Sequence, residues 1–117
     1  MPVQNDPNMG LGYGFDEGES GWKPTMDANL KQLGALLHVS VIDRNLATPP
    51  AASDGDRYIV AAGGTGDWAT HDDKIAVRVA GAWEFYTPAT GWLAYIEDEQ
   101  VLSVFRSGAW SAGTALT

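Results

Sequence analysis

Residues 75–83 read IAVRVAGAW, and residues 102–110 repeat this stretch without a gap as LSVFRSGAW, at an offset of 27 residues. Each copy has the apolar and β-branched residues of a strand, then a glycine where a tight turn needs a positive φ, then a tryptophan that begins a returning strand. A solenoid or propeller needs at least about three repeats. The two copies therefore predict a duplicated hairpin, although unrelated hairpins also reuse a Gly-Ala-Trp turn.

The glycine–tryptophan pattern extends beyond this repeat, because every tryptophan follows a glycine by one or two residues: Trp22, Trp68, Trp83, Trp92 and Trp110. Turns that each return a large ring to one core are typical of many short strands. With runs rich in valine, isoleucine and aromatic residues, they predict a mainly β fold, a small antiparallel β-sandwich or barrel built from hairpins over residues 39–117. The expected strands are 57–61, 74–79, 82–86, 92–96, 101–105 and 109–111.

Ahead of the β-rich part, the sequence predicts one short amphipathic α-helix over residues 25–38. Pro24 precedes its expected start, Thr25 is the expected N-cap, and Asp27 falls in the expected first turn. Gly34 costs about 1 kcal/mol relative to alanine unless it permits close approach of another element. Such a helix packs its stripe either on its own core or in a bundle around a symmetry axis. Spacings of four, three and four define that stripe as Met26, Leu30, Leu33 and Leu37.

Residues 1–24 are rich in glycine and proline, which resist regular structure, yet they also carry large apolar side chains. We expect an extended N-terminal arm that docks either on a partner or on its own domain. The sequence therefore indicates an assembly surface formed by the arm and the helical stripe. Its arm residues are Met9, Leu11, Tyr13, Phe15 and Trp22.

Composition limits the function classes. The 117 residues suffice for one domain with an appended arm, and a net charge of −8 opposes binding to nucleic acid or to an anionic membrane. The chain has no cysteine, so it offers no disulfide, no thiolate metal site and no thiol nucleophile. No basic start followed by an apolar stretch marks a signal peptide, and no apolar run approaches the ~20 residues of a membrane span. We expect synthesis in the cytosol.

The sequence contains only weak candidates for phosphate-binding, metal-binding and catalytic motifs. Residues 63–66 read GGTG, but no Lys-Ser or Lys-Thr follows, so the sequence predicts a loop rather than a phosphate site. Asp67, His71, Asp72 and Asp73 form the densest polar cluster, for which an exposed acidic loop is expected over a metal site. Carboxylate pairs are non-specific in so acidic a chain. We therefore predict no enzyme activity, no catalytic residue, no bound metal and no cofactor.

An ordered string of short motifs resembles a known family. It comprises Asp54–Val60, Gly64–Trp68, Ile75–Val77, Gly81–Phe85, Thr87-Pro88 and Gly91-Trp92. The family is a small domain of unassigned function in virion proteins of tailed bacteriophages, prophages and phage-like gene-transfer particles, and the resemblance covers about residues 10–110. It implies a non-catalytic structural role. Relatives often continue into fibre or spike segments, whereas this sequence ends after the second Gly-Ala-Trp, so we expect a small accessory or adaptor subunit rather than a receptor-binding tip.

Two functions are expected from these features. The first is a structural virion protein, an oligomeric accessory subunit of a head spike, fibre attachment or capsid decoration, with a tail or baseplate component as an alternative. Its partners would be other virion proteins and further copies of itself, with a homotrimer expected. The second is a carbohydrate-binding module for host-surface glycans. Its candidate stacking rings are Trp68, Trp92 and Tyr95.

Overall fold

The computed structural model describes residues 4–14 and 21–115. The chain divides into two compact units, Met1–Leu37 and His38–Thr117, which we call the N-terminal unit and the β unit. The N-terminal unit holds β1 (Gln4–Asn5), β2 (Gly12–Tyr13) and α1 (Trp22–Leu36). The β unit holds β3 (Ser40–Val41), β4 (Arg57–Ile59), β5 (Ile75–Val79), β6 (Ala82–Tyr86), β7 (Leu93–Ile96), β8 (Val101–Arg106), β9 (Ala109–Trp110) and β10 (Thr114–Ala115). The predicted mainly β fold with one short helix is confirmed.

The helix begins three residues earlier than predicted. Gly21, with φ of +89°, is the N-cap, and Trp22 is the first helical residue. Pro24 lies inside the first turn, where its missing N–H costs no hydrogen bond because the first helical N–H groups have no intrahelical partner. The predicted N-cap role of Thr25 is therefore wrong. Asp27 is correspondingly outside the first turn and pairs with Lys23 at 2.8 Å.

The predicted extended arm is also wrong for its described part. β1 pairs antiparallel with β2, so residues 4–14 form a small hairpin. Trp22, which we assigned to the arm, belongs to the helix. Local turn chemistry at Asp6, described below, explains why this segment folds back.

The β unit contains two sheets that are joined by the chain after β3. One sheet has the antiparallel order β4-β5-β6, and the other has β3, β7 and β8 side by side, with β9 and β10 on the far edge of β8. β3 and β7 are parallel, which requires a long crossover, and the three-stranded sheet supplies it. Ile42 N–H donates to the Arg57 carbonyl at 2.8 Å, and Ile59 N–H donates to the Asp43 carbonyl at 3.2 Å. These bonds link the two sheets.

The repeated stretch forms two equivalent hairpins, as predicted. β5 and β6 turn through Ala80-Gly81, with φ of +50° and +79°. β8 and β9 turn through Ser107-Gly108, with φ of +54° and +77°. Positive φ at both central residues defines the type I′ turn, whose twist matches that of the flanking strands.

The two hairpins also share a cross-strand contact at the position where their sequences differ. Arg78 and Phe105 are each paired across the ladder with the tryptophan of their own copy. The Arg78 guanidinium lies 5.3 Å from the ring centroid of Trp83. The Phe105 and Trp110 rings meet edge to face, with centroids 5.3 Å apart. A cation–π contact in one copy is thus replaced by an aromatic pair in the other.

Three rings form the centre of the core on one face of the β4-β5-β6 sheet. Trp68, at the end of a short 3₁₀ turn, is completely buried and lies 5.2 Å from Trp83 and 5.7 Å from Tyr58, measured between ring centroids. Tyr58 and Trp83 are 6.0 Å apart in an edge arrangement. The buried indole N–H of Trp68 makes no hydrogen bond within the described residues. Trp68 therefore contributes ring contacts to the core, while its indole N–H has no hydrogen-bond partner among the described residues.

A β-bulge interrupts the outer strand of the second sheet. Residues 111–113 separate β9 from β10, whereas only residues 103–104 of β8 lie opposite them. Ser111 N–H donates to the Val104 carbonyl at 2.9 Å, and Val104 N–H donates to the Ser111 hydroxyl at 3.0 Å. Gly113, with φ of +97°, lies so close to β8 that a Cβ would collide with it. The single extra residue leaves backbone carbonyls of the bulge without ladder partners.

Arg44 satisfies these carbonyls. Its guanidinium donates to the carbonyls of Ser111 and Ala112, each at 2.7 Å. It also forms two bonds to the Glu99 carboxylate, at 2.9 and 2.7 Å. One side chain therefore connects the segment after β3, the turn after β7 and the bulge, and all four bonds are charge-assisted.

We predict that Arg44→Ala lowers the free energy of unfolding by about 2–3 kcal/mol, because the Ala112 carbonyl loses its side-chain donor and the Ser111 carbonyl and Glu99 each lose charge-assisted hydrogen bonds. Arg44→Lys should recover little, since an ammonium group cannot reproduce the planar fork. Urea denaturation measures both changes. Arg106→Ala is the matched control, because Arg106 is exposed, and should change stability by no more than about 0.5 kcal/mol. Equal effects at the two arginines would contradict the role of Arg44.

We also predict an acid-sensitive contribution from Glu99. The hydrogen bonds from Arg44 lower the pKa of Glu99 below its ordinary value of 4.5. A lowered carboxyl pKa contributes stability above the ordinary value, and this stability is lost as the pH falls through the folded-state pKa. Glu99→Gln should therefore make the free energy of unfolding fall less steeply than in the wild type below about pH 4.5. Urea titrations between pH 7 and pH 3 compare the slopes, and parallel curves would contradict the expectation.

Candidate partner-binding surface

The N-terminal hairpin is organised by one carboxylate. Asp6 accepts hydrogen bonds from the backbone N–H groups of Asn8, Met9 and Leu11, at 2.9, 3.0 and 2.6 Å. The bonds from Met9 and Leu11 are the largest causes of the lowered pKa of Asp6. The Asp6 carbonyl also accepts the Gly10 N–H at 2.9 Å, which closes the loop between β1 and β2. The hairpin is thus a defined structure rather than an extended tail.

Two side-chain amides attach this hairpin to α1. Gly12 N–H donates to Asn29 Oδ1 at 3.0 Å, and Asn29 Nδ2 donates back to the Gly12 carbonyl at 2.9 Å. Gln32 Nε2 donates to the Met9 carbonyl at 2.7 Å. Asn29 and Gln32 are three residues apart and share one helix face. The hairpin therefore covers the side of α1 that carries Asn29 and Gln32.

The apolar face of α1 is left open. Leu30 and Leu37 are 59% and 62% exposed, Trp22 is 51% exposed and Met26 is 39% exposed, whereas Leu33 is half-buried. Within the described residues of the N-terminal unit, no element covers the exposed members of this stripe. Because the helix begins at Trp22, four residues before Met26, this ring extends the stripe by one turn. We call Trp22, Met26, Leu30, Leu33 and Leu37 the apolar stripe.

The hairpin contributes one further large side chain to the surface of the N-terminal unit. Tyr13 is 49% exposed, and its hydroxyl donates to Gln4 Oε1 at 3.0 Å. Met9 and Leu11, which we also assigned to the assembly surface, are half-buried in the loop. Phe15 lies outside the described residues. The N-terminal unit thus displays Tyr13 and most of the apolar stripe.

The candidate glycan-stacking rings do not form a common platform. Trp68 is completely buried, so its assignment as a stacking ring is corrected to a core role. Trp92 and Tyr95 are both half-buried. Trp92 lies immediately before β7 and Tyr95 lies within it. The two residues are three positions apart, and alternation along an extended segment directs such residues to opposite faces.

The acidic cluster after the glycine-rich loop has structural roles. The Asp72 carboxylate accepts N–H groups from Gly63 and Gly64, at 3.0 and 2.9 Å, which lower its pKa. His71 stacks on Phe85, with ring centroids 3.7 Å apart. The Asp73 carbonyl accepts the Trp110 indole N–H at 2.8 Å. Within residues 4–14 and 21–115, no group of three or more His, Cys, Asp or Glu side chains could hold a metal ion.

Sequence reasoning did not find the residues that close the hairpin loop and attach the hairpin to α1. Asp6 is followed by Pro7-Asn8, which is a signal for an aspartate-stabilised turn. Asn29 and Gln32 flank the stripe at helical spacing, but their partners are backbone groups of another segment, which periodicity does not reveal.

We predict that Asn29→Ala detaches the hairpin without unfolding α1, since alanine favours the helix. The Gly12 amide, which loses its acceptor, should exchange with solvent at least about tenfold faster in hydrogen-exchange measurements. Amides of β5 are the internal control and should keep their protection. Unchanged exchange at Gly12 would contradict the role of Asn29 in holding the hairpin.

No helix in the described part of the chain has the length and apolarity needed to cross a membrane. No curated protein matches the sequence. A family model described as a protein of unknown function, DUF2793, matches residues 26–111. The match includes most of α1 with four of the five stripe residues, and it ends just after β9. Because it covers most of the chain, this protein belongs to the DUF2793 family.

Proposed function

We propose that this protein is a structural subunit of a tailed bacteriophage or phage-like particle, attached to a neighbouring particle protein through its N-terminal unit. The observation that carries the proposal is the exposed apolar surface of that unit, which includes Tyr13 and most of the apolar stripe. Contiguous apolar groups of this kind mark protein–protein contact sites. A head spike, fibre attachment or capsid decoration fits such an accessory subunit, and a tail or baseplate component is the alternative.

The hairpin is suited to attachment because it is already ordered. Its loop is closed by Asp6, and it is attached to α1 by Asn29 and Gln32. A binding segment that is ordered before association loses less conformational freedom when it binds. Tyr13 offers a large amphipathic ring, a residue type enriched among the energetically dominant residues of interfaces. We assign attachment to the hairpin for these reasons.

The virion setting is supported by resemblance rather than by contacts. The ordered motifs from Asp54 to Trp92 resemble those of domains in virion proteins, and the matched family itself has no assigned function. No observation of comparable weight favours the carbohydrate-binding alternative, because its three candidate rings form no common platform.

We predict that Tyr13→Asp abolishes co-sedimentation of the purified protein with particles that were produced without it, because a charge would replace the ring in the contact. Thr90→Asp is the matched control, since it adds the same charge at an exposed position of the β unit. It should leave co-sedimentation unchanged. Circular dichroism of both variants verifies folding. Equal binding by the two variants would contradict attachment through the hairpin, and failure of the wild type to co-sediment would contradict the particle role.

A further inference from the structure

We infer that Asp54-Gly55 is a site of spontaneous backbone modification, isomerisation to isoaspartate, which the fold holds in an unreactive state. The pair is the one Asp-Gly dipeptide in the sequence, and both residues are exposed. Glycine makes a preceding aspartate reactive because it has no side chain to hinder attack by its own backbone nitrogen. The inference concerns the chemistry of the β unit and is independent of attachment to a particle.

The reaction needs only these two residues and water. The Gly55 nitrogen attacks the Asp54 side-chain carbon Cγ, so a C–N bond forms. One carboxyl oxygen leaves as water, with the amide proton and the carboxyl proton. Water then opens the resulting succinimide ring. Opening at the main-chain carbonyl leaves Gly55 attached through Cγ and creates a carboxylate on Cα, which is isoaspartate.

The attacking nitrogen is engaged in the folded chain. Gly55 N–H donates to the Arg78 carbonyl at 2.7 Å, and Arg78 N–H donates to the Asp56 carbonyl at 2.9 Å. Gly55 and Asp56 therefore lie opposite the single residue Arg78, and Gly55 has φ of +94°, which is the pattern of a glycine bulge. The nitrogen must give up its proton to react. In the fold, that proton is held in a hydrogen bond to β5.

The carboxyl group under attack is engaged as well. Asp54 Oδ1 accepts the Gly81 N–H at 3.0 Å, and Gly81 belongs to the turn between β5 and β6. Asp56 N–H donates to the Ser53 carbonyl at 3.0 Å, which closes the turn that contains Asp54 and Gly55. Gly55, the third residue of this turn, has the positive φ that a type II turn requires there. Both reacting groups are thus occupied, and the reaction requires local opening of this corner.

Isomerisation changes the same corner permanently. It lengthens the main chain by one carbon atom between Asp54 and Gly55 and moves the free carboxylate to Cα. The bond from Gly81 N–H and the closing bond from Asp56 to Ser53 both depend on the unmodified chain. A transient loss of these hydrogen bonds therefore becomes a lasting one once the reaction has occurred.

The second hairpin has an equivalent turn without this protection. Ser107-Gly108 matches Ala80-Gly81 of the first hairpin in position and in positive φ. Gly81 N–H is donated to Asp54, whereas Gly108 N–H has no hydrogen-bond partner among the described residues. Asparagine is favoured before glycine in a type I′ turn. Ser107→Asn therefore places an exposed Asn-Gly pair, with an unengaged glycine nitrogen, in the same folded chain.

Deamidation of two matched variants tests the inference. Asp54→Asn keeps an oxygen acceptor for Gly81 N–H and forms the same succinimide, with ammonia as the leaving group and a rise in peptide mass as the readout. In native buffer at neutral pH, Ser107→Asn should lose its amide at least about tenfold faster than Asp54→Asn, because Asp54→Asn reacts only through local opening. In guanidinium chloride the two rates should converge. Equal rates in native buffer, or an unchanged rate for Asp54→Asn on denaturation, would overturn the inference.

The wild-type chain gives a second readout that needs no substitution. Isoaspartate at Asp54, measured by peptide mapping, should accumulate at least about tenfold faster in guanidinium chloride than in native buffer. After refolding, the Gly81 amide should exchange with solvent faster in the isoaspartyl fraction than in the unmodified fraction, since its acceptor has moved. Equal accumulation in the two solvents would contradict protection by the fold, and equal exchange at Gly81 would contradict the role of the Asp54 bond.

Discussion

The guanidinium of Arg44 is the constraint on which the β unit depends. The unit is built from short strands, and its outer strand is broken by a bulge that exposes the carbonyls of Ser111 and Ala112. Arg44 donates to both carbonyls and to Glu99, which comes from the turn after β7. A partly buried carbonyl such as that of Ser111 costs free energy when its hydrogen bonds are not made. The bulge therefore persists because a distant side chain replaces the missing ladder partners.

The parts of the fold that sequence predicted are those that local chemistry determines. The type I′ turns at Gly81 and Gly108 depend on positive φ at fixed positions, so both hairpins were predictable, with strand ends within one residue of those observed. The start of α1 was misplaced because Pro24 was taken as a boundary, whereas the left-handed Gly21 begins the helix and the first turn tolerates proline. The contacts of Arg44 were not predictable. They join segments more than fifty residues apart, as the bond to Glu99 does, and no periodicity encodes them.

The residues of the candidate surface could be predicted from the sequence, but their exposure could not. Spacing alone gave Met26, Leu30, Leu33 and Leu37 as one face, but exposure of that face depends on what the rest of the unit covers. Asn29 and Gln32 draw the hairpin to the polar side of the helix, which leaves the apolar side open. For Trp68, the sequence pattern did not decide between exposure and burial. A tryptophan after a glycine can be a binding ring or a core ring, and only its contacts with Tyr58 and Trp83 decide between them.

In the N-terminal unit, hydrogen-bonding side chains of an amphipathic helix make the contact with the hairpin, and this has a physical consequence. A helix that packs its apolar stripe on its own core leaves its polar side to water. In α1, Asn29 and Gln32 are bonded to backbone groups of the hairpin, and Leu30 and Leu37 remain exposed. Polar pairing makes the helix–hairpin contact directional, because both atoms of the Asn29 amide must meet the two backbone groups of Gly12. Apolar association has no such directional requirement. The unit thus fixes its internal geometry by hydrogen bonds and reserves its apolar area for contacts with other molecules.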